Sequence, residues 1–151
     1  MKDGRFVYVC LYVDGMIIAA KTREEIPEVK TALKNMFKMK ELGEAKFILE
    51  MEIDQDYSTK TLTIRQTRYI DDVVNPFNQQ DAKVVANPCE ARLKLTKAHS
   101  PKTEAEFWLM QKNPYRAHFG CLLYITTCTR PDVAYIVTKL SRFLENPGKQ
   151  H

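Results

Sequence analysis

Cysteine is scarce in this chain and unpaired: four of the 151 residues are Cys (Cys10, Cys89, Cys121 and Cys128), with no C-x-x-C among them. With no secretory context either, they predict reduced thiols in an intracellular protein, mostly filling core, with cytoplasm and nucleus left open. No apolar run is long enough to span a bilayer, and the N-terminus lacks the apolar region of a signal peptide, so no membrane partner is expected. A strong charge of one sign is missing too. The 23 Lys and Arg stand against 19 Asp and Glu, and the net +4 permits nucleic acid as a partner without indicating it. Internal repeats and low-complexity segments are absent, and Ser100, Ser141 and the His residues show no nucleophile–base spacing. His118 and Cys121 share a helical face, with Cys128 seven residues on, but no second cluster completes the four ligands of a zinc site. They read as core or capping residues.

What is present is an ordinary globular composition, 44% hydrophobic and 28% charged, on a chain long enough for one domain or part of a larger one. Its organising stretch is Phe6 to Ala20, F-V-Y-V-C-L-Y-V-D-G-M-I-I-A-A. Two β-branched and aromatic runs meet at Asp14-Gly15, which predicts a hairpin with that pair at positive φ. The uniformly apolar flanks predict a ribbon buried on one face and covered on much of the other. Asp14 is then either a plain turn residue or a carboxylate displayed for chemistry, and Tyr12 either core or part of a site.

Lys21 to Lys40 has apolar residues at helical spacing (Ile26, Val29, Leu33, Met36, Phe37), a Thr22/Glu25 capping box and a stop at Gly43. Pro27 fits that start badly. Phe47 to Asp54 alternates as one strand, and Leu62 and Ile64 continue in a partner across the polar turn 56–60. Glu50, Glu52 and Asp54 form an acidic row on the solvated side, read as plain surface. A short helix opens at Thr67, and residues 76–114 read as an extended connector. Tyr115 to Cys128 predicts a helix around a close backbone approach at Gly120. Thr129-Arg130-Pro131-Asp132 predicts another, capped by Thr129, with a stripe of Val133, Ile136, Val137, Leu140, Phe143 and Leu144. Asn146-Pro147-Gly148 stops it.

In order along the chain, Tyr12-Val13-Asp14-Gly15, Met39-Lys40-Glu41-Leu42-Gly43, Ile48-Leu49-Glu50-Met51-Glu52-Ile53, Gln66-Thr67-Arg68-Tyr69-Ile70, Asn87-Pro88, Tyr115-Arg116 with Gly120-Cys121-Leu122-Leu123-Tyr124, Thr129-Arg130-Pro131-Asp132, Leu140-Ser141-Arg142-Phe143 and Pro147 with His151 appear. This series resembles the C-terminal half of copia-type LTR-retrotransposon reverse transcriptases, whose motifs are Y-V-D-D, M-K-D-L-G, F-L-G-I-E-I, Q-x-x-Y-I, T-P, Y-R-x-x-(V/I)-G-S-L-x-Y, T-R-P-D, L-S-R-F and P-x-x-x-H. The likeness covers nearly the whole chain. Two departures matter: Gly15 stands where the family has its second tip aspartate, and Glu50 where it has Gly.

The resemblance implies an α+β fragment. Residues 1–75 would be a partial palm of β-hairpins and an amphipathic helix, 76–114 a connector, and 115–151 a mostly helical thumb and connection region leading toward RNase H. It implies RNA-directed DNA polymerase chemistry with Mg²⁺ as cofactor, an RNA or DNA template–primer as partner, Asp14 as metal ligand and Tyr12 near the primer terminus. Two-ion phosphoryl transfer needs several carboxylates. Asp14 is one, Gly15 cannot be another, and the family's upstream L-D-V-x-x-A-F-like strand does not occur here. The expectation is a catalytically inactive remnant of a polyprotein. The alternatives are a truncated gene model of a longer polymerase, completed by the rest of the polyprotein, and a non-enzymatic remnant binding nucleic acid through its basic helix and connector. A palm without its first strands also predicts poor solubility.

Overall fold

The computed structural model describes residues 6–77, 81–85 and 94–151 and divides into two compact units, 1–63 and 64–151. Helix and sheet are mixed, five α-helices with one two-stranded and one three-stranded sheet among the described residues.

In the first unit, β1 (Val7–Tyr12) and β2 (Gly15–Ala20) pair antiparallel in the register Tyr12↔Gly15 to Val7↔Ala20. The turn is therefore Val13-Asp14, one residue earlier than the Asp-Gly motif suggests. Val13 takes the positive φ, 52°, and Gly15 lies in the strand. The register puts apolar residues of both strands opposite one another along their whole length, and that outweighs the local preference of Gly for the turn. The expected burial is also absent, since Tyr8, Leu11 and Tyr12 are all more than half exposed. Cys10 is exposed as well, and Cys121 and Cys128 are only half-buried, so these three thiols are not core filler, while Cys89 lies outside the described residues.

Helix α1 runs Glu25–Met36, shorter than the periodicity suggests, and it packs on β2. Pro27 falls in its first turn, where its missing N–H has no intrahelical partner to lose. Only half of the capping box forms, the Glu25 carboxylate accepting from the Thr22 N–H at 3.4 Å. The helix ends where Phe37 turns extended, so Gly43, at φ 86°, shapes the loop beyond rather than the helix stop. In that loop the Glu41 carboxylate accepts from the ammonium groups of Lys30 and, at 2.7 Å, Lys34. These bonds hold its pKa at about 2.

The alternating run at 47–54 is two strands, not one. β3 (Phe47–Ile48) folds back on β4 (Met51–Asp56), and β5 (Thr61–Arg65) lies on β4's other side. Leu49 and Glu50 form the turn at φ 51° and 56°, the paired left-handed geometry of a type I′ hairpin. Glu50 thus leaves the acidic row and occupies the left-handed position where the resembling motif has Gly. The Asp56 carboxylate closes the 56–60 turn by accepting from the Ser58 N–H at 2.8 Å and its hydroxyl at 2.6 Å, which lowers its pKa to about 2.

The second unit is helical: α2 (Thr67–Val74), α3 (Glu104–Gln111), α4 (Tyr115–Cys128) and α5 (Ala134–Ser141). The bounds of α4 match its sequence pattern. α3 went unforeseen, although Thr103 and Glu106 make a full capping box there. Residues 78–80 and 86–93 of the expected connector lie outside the described residues, and Lys97–His99 is a 3-10 turn. Phe119, Ile125, Val137 and Phe143 form the buried apolar core, with the Tyr69 and Tyr124 rings edge-to-face at 5.3 Å. The close approach expected at Gly120 is at Gly148 instead. A Cβ there would lie 1.8 Å from the His99 carbonyl oxygen, whereas one at Gly120 meets nothing within 4 Å.

Thr129 does not cap the helix after it. Its hydroxyl donates to Oε1 of Gln66 at 2.7 Å, and Gln66 is 2% exposed, so the bond ties the start of α2 to the end of α4 away from water. Pro131–Val133 forms a 3-10 turn leading into α5.

Three outcomes follow from these local geometries. Glu50→Gly removes a side chain from a left-handed position and stabilises the chain by about 1 kcal/mol, a Tm rise of roughly 2–4 °C readable by thermal melting. Thr129→Val leaves the buried Gln66 carbonyl without its donor and destabilises by about 1–3 kcal/mol, measured by urea titration. The Glu41 carboxyl, followed by NMR, titrates at about 2 and moves toward the ordinary glutamate value of 4.5 in Lys34→Ala. Because its folded pKa lies below the unfolded one, its contribution is present above about 4.5 and fades as pH falls toward 2.

Candidate active site

The tip of the first hairpin is where a carboxylate is presented by strained backbone. β1 and β2 hold the ends of a two-residue loop, and the loop closes only because Val13 enters the left-handed region, an outlier for a β-branched residue. Such a conformation costs on the order of 1–3 kcal/mol and is found chiefly at functional sites and switches. Asp14 follows it, exposed at the apex, with Tyr12 58% exposed at the end of β1. The sequence motif identifies Asp14, but the strained valine could not be read from it, since Asp-Gly is the stronger turn signal.

Gly15 has no positive φ, and a Cβ built on it would meet the Tyr12 carbonyl oxygen at 3.5 Å, ordinary contact. Neither the turn nor the packing requires glycine at this position, and an aspartate would fit.

The donor set does not suit a pair of hard divalent ions. Mg²⁺ is held by carboxylates that converge on it, and among the described residues no group of three or more His, Cys, Asp or Glu could hold a metal. Asp14 is a single carboxylate at the tip, and its neighbour carries no donor. His118, Cys121 and Cys128, all half-buried on α4, belong to no such group either.

The basic face of α1 is partly neutralised, because Lys30 and Lys34 are both engaged by Glu41. In the second unit an open groove of about 400 Å³ lies between α3, the start of α4 and the 144–147 turn. Its polar groups serve the fold: the Arg116 Nε donates to the Leu144 carbonyl at 3.0 Å and the Tyr115 hydroxyl to that of Leu140 at 3.1 Å, satisfying carbonyls at and beyond the end of α5.

The other motifs are structural in the same sense. In Thr129-Arg130-Pro131-Asp132 the threonine binds Gln66, the guanidinium forms a two-pronged pair with Asp132 at 2.9 and 2.8 Å, and the proline opens the 3-10 turn. That pairing raises the Arg130 pKa and lowers that of Asp132. In Pro147 to His151 the imidazole stacks on Phe143 at 4.0 Å. Its Nδ1 accepts from the Gly148 N–H at 2.8 Å, and its Nε2 lies 3.2 Å from the Thr96 carbonyl. With Nδ1 an acceptor and a carbonyl facing Nε2, the proton is on Nε2.

Residues 1–91 match the family model described as reverse transcriptase (RNA-dependent DNA polymerase). The chain is 42% identical over 150 residues to a retrovirus-related Pol polyprotein from transposon TNT 1-94 of Nicotiana tabacum, covering 99% of the chain and 11% of that protein. It is 30% identical to a putative transposon Ty5-1 protein of Saccharomyces cerevisiae, covering 99% of the chain and 46% of that protein. A Pol polyprotein from transposon RE2 of Arabidopsis thaliana is also 30% identical, over 100% of the chain and 10% of the relative. The chain thus spans less than half the length of each of these relatives. No solved structure matches it.

Proposed function

The chain belongs to the reverse transcriptase (RNA-dependent DNA polymerase) family, and from that premise we propose that it is a copia-type Pol polyprotein segment whose hairpin tip carries one ligand of an incomplete polymerase metal site. Asp14 is the ligand retained, Gly15 the ligand lost, and Tyr12 the side chain beside the primer terminus. The first unit corresponds to part of a palm and the helices from Tyr115 onward to a thumb and connection region.

The observation that carries this reading is the tip geometry: an exposed aspartate held by a strained turn, beside a glycine that the backbone does not need. Gly15 occupies a strand position where a Cβ would make only ordinary contact, which fits loss of a ligand rather than a requirement of the fold.

The reaction assigned to the family transfers a nucleotidyl group to a primer 3′-oxygen between two metal ions. A single exposed carboxylate does not position two ions, so this chain alone does not extend a primer. The non-enzymatic alternative, nucleic-acid binding through α1, is disfavoured because Glu41 already occupies two of its lysines.

The test is primer extension by the purified chain with Mg²⁺, a template and all four deoxynucleotides. No product above the Mg²⁺-free control is expected, and Mg²⁺-dependent extension overturns the proposal. In parallel, Mn²⁺ broadening of the Asp14 NMR signals reads ligation directly. Gly15→Asp, which the backbone accommodates, is expected to lower the Mn²⁺ concentration for half-broadening at least tenfold. An unchanged midpoint removes Asp14 and position 15 as one metal site.

A further inference from the structure

We propose that two copies of this chain associate through the outer edge of β1, forming an antiparallel two-fold strand pair centred on Cys10. In its sheet β1 pairs only with β2, so among the described residues its other edge faces no strand. From Phe6 to Val13 the chain has no charge, proline or glycine, and β1 contains no bulge in its register with β2. These are the devices by which exposed edges normally avoid pairing with other chains. β1 lacks them all while exposing 71% of Tyr8 and 64% of Leu11.

The occupant follows from the order of residues. Val7-Tyr8-Val9-Cys10-Leu11-Tyr12-Val13 reads nearly the same in both directions about Cys10. A two-fold interface needs a patch complementary to itself, and an antiparallel strand pair meets that need when its sequence is palindromic. Centred on Cys10, the pair sets Tyr8 against Tyr12 of the second copy and Val9 against Leu11 of the second copy. Aromatic and aliphatic cross-strand pairs of this kind are the favourable ones. β2, Gly-Met-Ile-Ile-Ala-Ala, has no such symmetry, and α1 packs on it.

The hydrogen-bond pattern agrees with the register. Tyr12 and Gly15 close a two-residue loop and so form a hydrogen-bonded pair, as do Cys10 with Ile17 and Tyr8 with Ala19 by alternation. Val7, Val9 and Leu11 therefore turn their N–H and C=O groups to the open edge. A pair centred on Cys10 joins Val9 to Leu11 of the second copy through those groups. The two Cys10 residues then form a non-hydrogen-bonded pair with Cα atoms about 4.5 Å apart, inside the roughly 4.4–6.8 Å range that a disulfide spans. The association itself is non-covalent, and the thiols report its register.

The wild-type chain under reductant is expected to sediment as a dimer. Amide exchange at Val9 and Leu11 should slow as concentration rises, while that at Cys10, already paired within the hairpin, stays constant. In a variant with Cys89, Cys121 and Cys128 changed to Ser, diamide takes two electrons and two protons from the paired Cys10 thiols and gives one reducible band at twice the chain mass. Moving the thiol by Cys10→Ser with Val9→Cys separates the two sulfurs along the strands and should cut the yield at least fivefold. A monomer at all concentrations, equal cross-linking from positions 9 and 10, or a ladder beyond the dimer overturns the proposal. Should the serine variant fail to fold, the exchange pattern of the wild-type chain decides it.

Discussion

One buried hydrogen bond organises the second unit. Gln66 lies just before α2 and Thr129 just after α4. Their 2.7 Å contact satisfies the Gln66 carbonyl where water does not reach, and an unmade bond in such a place costs more than a made one contributes. Around it, Phe119, Ile125, Val137 and Phe143 close the small core, and the Tyr69–Tyr124 ring pair joins α2 to α4. The two motif residues are 63 positions apart, so their pairing is a tertiary fact that neither motif contains.

The same distinction runs through the family signatures. Those from Tyr115 onward are distinctive in sequence yet structural in use: Tyr115 and Arg116 bind carbonyls at and after the end of α5, Arg130 and Asp132 pair with each other, and His151 folds back on Phe143. The candidate site residues are at the hairpin tip. There a strained valine presents Asp14, and the position beside it has a backbone open to any residue but holds only glycine. Helix packing in the second unit and the candidate site at the tip draw on different residues.

The first unit shows what an uncovered sheet does to its own sequence signals. β1 is apolar enough to be a buried strand, yet it is exposed along most of its length. Among the described residues, few contacts cover its apolar side chains. An uncharged, self-complementary edge in that state is chemically suited to a second copy of itself.

Local pattern determined the α4 bounds, the hairpin at 7–20 and the helix opening at Thr67, because each rests on contacts between near neighbours, whereas the α+β mixture came with the family resemblance. The motif marked Asp14 as a candidate, and the fold places it exposed at the hairpin apex. What tertiary structure decided was finer and often opposite. The first turn moved to Val13-Asp14 because cross-strand register outweighs the local preference of Asp-Gly. The long strand broke at Leu49-Glu50 because alternation of side chains looks the same in one strand as in two joined by a two-residue turn. The glycine needed for close approach was Gly148, not Gly120, because only the folded chain brings the His99 carbonyl against it. Local sequence carries local conformation, whereas which residue meets which across the fold is set by the packing of the whole.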